Sequence, residues 1–262
     1  MNGVGLVLVG DVLAADPVIS ALVHSLGEAV SEAGLPFLAR VVDDADSELD
    51  VYHAWHASGA PDAVVVIPAE ADDARVALLT RLRIPVVALT HEEHLPGVSA
   101  VVLDDDAAAD ELAAFLDRRG YRDVLYAPDG AGASDASDLR DSAFARLGGR
   151  VRALDDATPQ AVARAVAEAV APAAVVAADA TAAVAIIAAI RETGRSVPGD
   201  AGVLSWNDSL LCRTSDPTIT ALDRRATEIG RLLGECVLRV TAGGELGRLP
   251  APRAGVAARE SA

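Results

Sequence analysis

From one end to the other, the chain alternates between short, largely apolar runs and longer stretches with a helical period. Residues 4–9, 35–42, 63–67, 85–89 and 100–103 are runs of strand length in the first half. Between the first two, Ile19, Leu22, Val23, Leu26 and Val30 recur at three- and four-residue spacing, which predicts a helix over 17–33. Asp16 is placed to cap that helix, Pro17 suits its first position, and Gly34 suits its exit. Residues 47–58 and 71–82 read as further helices. The second half repeats the grammar, with runs at 124–127, 151–154, 174–177, 201–206, 218–222 and 254–258. Its helices are expected at 107–119, 137–147, 159–170, 181–192 and 226–241. Strands without polar alternation are covered on both faces, and helices between them supply the crossovers of a parallel sheet. With 262 residues, two Rossmann-like lobes suit domain sizes better than one very wide sheet. No Gly/Pro/Ser-rich linker separates the halves, so the lobes are expected to share several crossing strands.

Charge narrows the partners. The chain carries 39 acids against 22 bases, a net charge of −17, and every base is Arg. Nucleic-acid binding rests on basic patches that release counterions, so these residues are not expected to grip DNA or an anionic membrane. Residues 1–10 lack a basic n-region and a cleavage site. No apolar stretch is long and uncharged enough to span a bilayer; the most apolar, 172–190, is interrupted by Asp179. Cys212 and Cys236 make no disulfide framework and read as reduced thiols of a cytoplasmic protein.

Catalytic and metal motifs are weak. His91 and His94 are not spaced as a zincin pair, and His53 and His56 lack an apparent third ligand. Asp104, Asp105 and Asp106 follow a strand, where a Mg²⁺ site competes with a capping and hinge role. There is no nucleophile elbow, no Walker lysine and no glycine fingerprint after the first strand, so no enzyme and no cofactor is expected. What remains is geometric, because ligands of open α/β sheets bind outside the carboxyl ends of the strands. The loops there carry Asp11 and Asp16, Glu70, Thr90 and His91, Asp104 and Asp105, Asp129, Asp179, and Trp206, Asn207 and Asp208. Such a set suits a neutral or cationic polar small molecule, hydrogen-bonded and stacked on one ring.

An ordered series of short motifs carries a family likeness. Asp16-Pro17-Val18-Ile19 follows the first strand, and Asp62-Ala63-Val64-Val65-Val66 and Ile84-Pro85-Val86-Val87 follow in turn. Val101-Val102-Leu103-Asp104-Asp105 precedes a helix, and Leu116 leads to Gly120-Tyr121-Arg122. The densest stretch holds Ala178-Asp179, Ile190-Arg191-Glu192, Val197-Pro198-Gly199-Asp200, Val203-Leu204-Ser205-Trp206-Asn207-Asp208, Pro217, Ile219-Thr220 and Ile229-Gly230. Arg259-Glu260-Ser261 closes it. In this order and spacing the chain resembles the effector-binding core of LacI/GalR-type transcriptional regulators.

The resemblance implies the periplasmic binding protein type I architecture, two α/β lobes with parallel sheets joined by crossing hinge strands. Residues 1–103 and 223–244 would form the N-terminal lobe, and 104–222 and 245–262 the C-terminal lobe. Crossings are expected near Leu103, 218–222 and 245–249. It implies a small polar, sugar-like effector held by Asp16, Ile19, Glu70, His91, Asp105, Arg140, Asp179, Trp206 and Asn207. Arg140, four residues before Phe144, stands where the family grips a hydroxyl pair or carboxylate. The family's helix-turn-helix has no counterpart in these residues, so operator DNA would be a partner only through a separate head. A homodimer is implied. An extracytoplasmic solute-binding protein of the same fold is the alternative.

Overall fold

In the computed structural model, residues 2–10, 17–128 and 151–262 are described. The chain divides into two compact units, residues 1–104 with 225–252 and residues 105–224 with 253–262. It passes between them after Asp104, Arg224 and Pro252.

The first unit is a six-stranded sheet in the order β11-β5-β4-β3-β1-β2. Its strands are β1 (Val4–Val9), β2 (Phe37–Val42), β3 (Ala63–Ala69), β4 (Val86–Thr90), β5 (Ser99–Val102) and β11 (Arg248–Pro250). All its pairings are parallel. Alternate residues of the four inner strands serve opposite faces and both are covered, whereas the edge strands β2 and β11 keep exposed positions such as Val41. Val4, Leu6, Leu8, Val65, Ile67 and Val87 pack on α1 (Pro17–Glu32) and on α8 (Ala226–Thr241). Val7, Val64, Val66 and Val86 pack on α2 (Ala45–Ser58) and α3 (Ala74–Arg81), where Tyr52 and Trp55 are buried. Helices α1 and α8 approach closely through small residues. A Cβ on Gly230 would stand 2.4 Å from the Leu22 carbonyl oxygen, and one on Gly234 2.7 Å from the Ala29 Cβ.

The second unit repeats the plan in the order β12-β10-β9-β8-β6-β7. It is built from β6 (Asp123–Ala127), β7 (Val151–Ala153), β8 (Ala173–Ala177), β9 (Ala201–Ser205), β10 (Thr220–Asp223) and β12 (Gly255–Ala257). Leu125, Val175 and Val203 face α5 (Pro159–Glu168) and α6 (Ala180–Glu192). Tyr126, Val176, Leu204 and Leu222 face α4 (Asp105–Arg118).

Three sequence expectations change. The last strand, β12, pairs antiparallel with β10, because it enters the sheet after the final crossing rather than through a βα unit. Residues 245–262 do not stay in one unit. Arg248–Pro250 pairs with β5 and closes the first sheet, and only residues from 253 onward join the second. A short helix, α7 (Leu210–Thr214), also follows β9, too brief to show a helical period. The predicted helix over 137–147 and the Asp16 cap lie outside the described residues.

Several helix exits follow one chemical rule. Gly34, Gly59 and Gly120 take positive φ, and paired backbone bonds close the last turns there. At the end of α3 the same motif is made by Arg83, whose φ is 59°, with Arg83 N–H donating to Thr80 O and Ile84 N–H to Leu79 O. A side chain in that conformation costs about 1 kcal/mol that glycine does not. Arg83→Gly is therefore expected to raise stability by about 0.5–1 kcal/mol in urea denaturation; a lower midpoint would show that Arg83 makes compensating contacts.

Candidate functional site

The loop after β9 gathers a cluster of hydrogen-bonded polar side chains. Ser205 donates its hydroxyl to the Asn207 carbonyl at 2.8 Å and accepts from the Asn207 N–H at 3.3 Å, closing a tight turn. The turn is anchored from both sides: Trp206 N–H donates to Ala177 O and Asp208 N–H to Leu222 O. Asp208 Oδ2 accepts from Arg259 at 2.8 Å and from Arg213 at 2.9 Å. Arg259 also donates to Ile219 O at 2.6 Å, so the end of the chain braces the loop.

Two acceptors on this loop, Asn207 Oδ1 and Asp208 Oδ1, are buried with no hydrogen-bond partner among the described residues. A buried acceptor without a donor is costly, and sites built to receive a ligand's N–H or O–H have this character. Residues Ala177 and Ser205 are register partners, so Asp179 and Asn207 leave neighbouring strand ends. Asp179 is exposed and caps α6, its Oδ1 accepting from Ala182 N–H at 2.8 Å.

Trp206 is a correction to the stacking role expected of it. Its ring is 0% exposed and packs among Leu112, Phe115, Leu116, Val176 and Leu222. The Arg224 guanidinium lies over it, 5.5 Å from the centroid. At the end of a largely apolar run, the sequence alone cannot tell a core ring from a ligand platform. Asp105 opens α4, is 7% exposed and accepts a bond from Arg224. Its carboxylate is thus engaged within the second unit.

In the first unit, Ala69 and Thr90 are register partners, which sets Glu70 and His91 at neighbouring strand ends. Thr90 Oγ1 donates to Ala69 O at 2.7 Å and locks those ends together. Ile19 is half-buried, its side chain packed against the sheet core. Asp16 and Arg140, and with them Asp11 and Asp129, lie outside the described residues.

The sequence missed the arginines that organise both units. Arg75 holds Asp73 at 2.7 Å and reaches Glu48 at 3.7 Å, and it donates to Pro68 O beneath the loop carrying Glu70. Buried Glu48 in turn accepts from the Tyr52 hydroxyl at 2.5 Å. Burial, then the Glu48 charge, pushes the Tyr52 hydroxyl far above its ordinary range, so it remains a donor. The Arg75–Asp73 contact is local, but the one from Arg75 to Glu48 joins α3 to α2 and exists only once the two helices are packed.

Burial alone would raise the Asp208 carboxyl, but the bonds from Arg259 and Arg213 outweigh it and hold it below its usual value. A depressed native pKa contributes stability that is present above the unfolded value, about 3.9, and is lost as pH falls through the native one. Asp208→Asn is therefore expected to be less stable than the parent chain at neutral pH, with the gap closing below about pH 4 in denaturation series. A gap independent of pH would remove the ion pair from the account.

Residues 113–261 match the model of the periplasmic binding protein-like domain family. An HTH-type transcriptional regulator of Mycolicibacterium smegmatis is 31% identical over 109 residues, 42% of this chain. The match spans only 30% of that protein's length. A LacI family transcriptional regulator from Bifidobacterium animalis subsp. lactis is 29% identical, with a TM-score of 0.81 over 99% of this chain and 97% of its own. The transcriptional regulator CelR in complex with cellobiose is 23% identical, with a TM-score of 0.77 over 100% of this chain and 85% of its own. Two mostly parallel six-stranded sheets, with motifs of one series along both, lead to one assignment: the chain belongs to the periplasmic binding protein-like domain family, with the fold that it shares with the LacI family regulator from Bifidobacterium animalis.

Proposed function

We propose that the chain senses a small polar, sugar-like effector at the carboxyl ends of its strands and converts occupancy into a change of lobe orientation. The observation that carries this reading is Asn207 Oδ1, buried without a partner among the described residues, on a braced loop after β9. It is an acceptor awaiting a donor, and a sugar hydroxyl supplies one. Glu70 and His91 at adjacent strand ends, and Asp179 beside Asn207, add polar groups of the kind that fix a polyol. CelR, of the same fold, is a cellobiose complex, which supports the sugar class.

An effector has leverage only through its different affinity for two arrangements of the lobes. In a regulator that difference would change the DNA affinity of an attached helix-turn-helix. The net charge of −17 fits a sensing part that leaves DNA to such a head. Among the described residues no helix is long and apolar enough to cross a membrane, and the proposed place of action is the cytoplasm.

A thermal-shift screen of neutral mono- and disaccharides, cellobiose included, tests the reading. A binder at 100 times its Kd stabilises the native state by about 2.7 kcal/mol. Asn207→Ala is expected to weaken that binder by about tenfold or more, from the loss of a buried hydrogen bond. If no sugar shifts the midpoint, or Asn207→Ala binds as well as the parent, the sugar-sensing role of this loop fails.

We further propose a homodimer. Leu210 and Leu211 on α7 are 74% and 40% exposed, and Val184 on α6 is 37% exposed. Adjacent exposed leucines on a short helix braced from below form an apolar contact that a second copy would cover. Sedimentation velocity at micromolar concentration is expected to give a dimer, and Leu210→Arg with Leu211→Arg a monomer. A parent chain that sediments as a monomer, or a variant that still pairs, would refute this surface.

A further inference from the structure

Two of the three passages between the units are tied to each other by side chains. Asp105 is the first residue of the second unit after the first passage, and Arg224 is its last residue before the second. The two are 119 residues apart in sequence, yet Arg224 Nη2 donates to Asp105 Oδ1. Both are shielded from water, with side chains 6% exposed for Asp105 and 17% for Arg224. The guanidinium also rests on the buried Trp206 ring, whose next residue is Asn207. In the first unit the tie is of another kind: Ala251 N–H, on the third passage, donates to Val102 O, beside the first. One side is therefore fixed by main chain and the other by an ion pair. Immediately beyond the ion pair, Arg225 holds a left-handed backbone, φ 60° and ψ 37°, at the start of α8. A non-glycine residue stays in that conformation only where its surroundings hold it there.

We propose that Asp105, Arg224 and Trp206 form a clasp that binds the first and second passages into one element, so that the two segments open or hold together. This rests on the sensing role proposed above only for its purpose; the clasp itself is a property of the effector-free chain. A buried charge pair suits this task, because either charge left alone is strongly disfavoured, so the two segments are released or held as one. Arg224 is a positioning residue and touches no ligand in this account.

Hydrogen exchange on the full chain without effector tests the clasp. Arg224→Met and Asp105→Asn are each expected to speed exchange at both passages, residues 103–107 and 221–227, by about tenfold or more. Strands β3 and β4 should be unchanged. The effect of the double variant should fall short of the sum of the single ones, since the two residues share an interaction. If a single variant fails to fold, the double neutral variant is expected to fold, because it leaves no charge buried alone. Faster exchange confined to the mutated residue's own passage overturns the proposal. So does additivity of the two variants, a uniform rise throughout the second unit, or a double variant no better folded than the singles. A failed sugar screen leaves this outcome untouched, and a failed clasp leaves sugar binding untouched.

Discussion

The Asp208 carboxylate is where the end of the chain reaches back to hold the middle. Arg259 spans 51 positions to meet it and also grips the Ile219 carbonyl. Two residues later, Ser261 donates to Val203 O and accepts from Thr220 N–H, so the tail stitches β9 to β10. The two strands have only two paired positions of their own, Thr220 with Leu204 and Ala221 with Ser205. The loop bearing Asn207 leaves the sheet at that seam. Its conformation depends on a bridge that forms only when the last residues are in place.

The same economy governs the first unit. Arg75 joins α3 to α2 through Asp73 and Glu48 and grips the backbone under the Glu70 loop. Each sheet is also finished late: β11 closes the first and β12 the second, after the other strands have been laid down. Contacts so distant in sequence cost chain entropy before they return stability, which favours strong, buried, directional bonds at the closing points. Arginine supplies them with its planar, permanently charged fork. In a chain without lysine, it is the cation available for every such closure.

Much of the fold was readable because hydrophobic period is local. Continuous runs such as residues 63–67 announced strands covered on both faces, and the recurrence from Ile19 to Val30 announced α1. The ordered motifs added the family. What could not be read were α7, a short helix with no period, the sheet that β11 joins and the direction of β12, since pairing is set by the path the chain takes to reach the sheet. At the site, loop position singled out Asn207, but composition could not separate an exposed ring from a core ring at Trp206.

By itself, then, the sequence determined that this is a crossed, two-unit α/β protein whose polar residues collect at strand ends. Alternation and turn chemistry act over a few residues and need no partner to be recognised. Tertiary structure alone decided which polar groups are spent and which are left open. Asp105 is spent on Arg224, and one Asp208 oxygen on Arg259 and Arg213, while Asn207 Oδ1 is buried without a donor among the described residues. Satisfaction of a buried polar atom depends on what folding brings within three ångströms of it, and residues 51 or 119 positions away leave no local mark on the sequence.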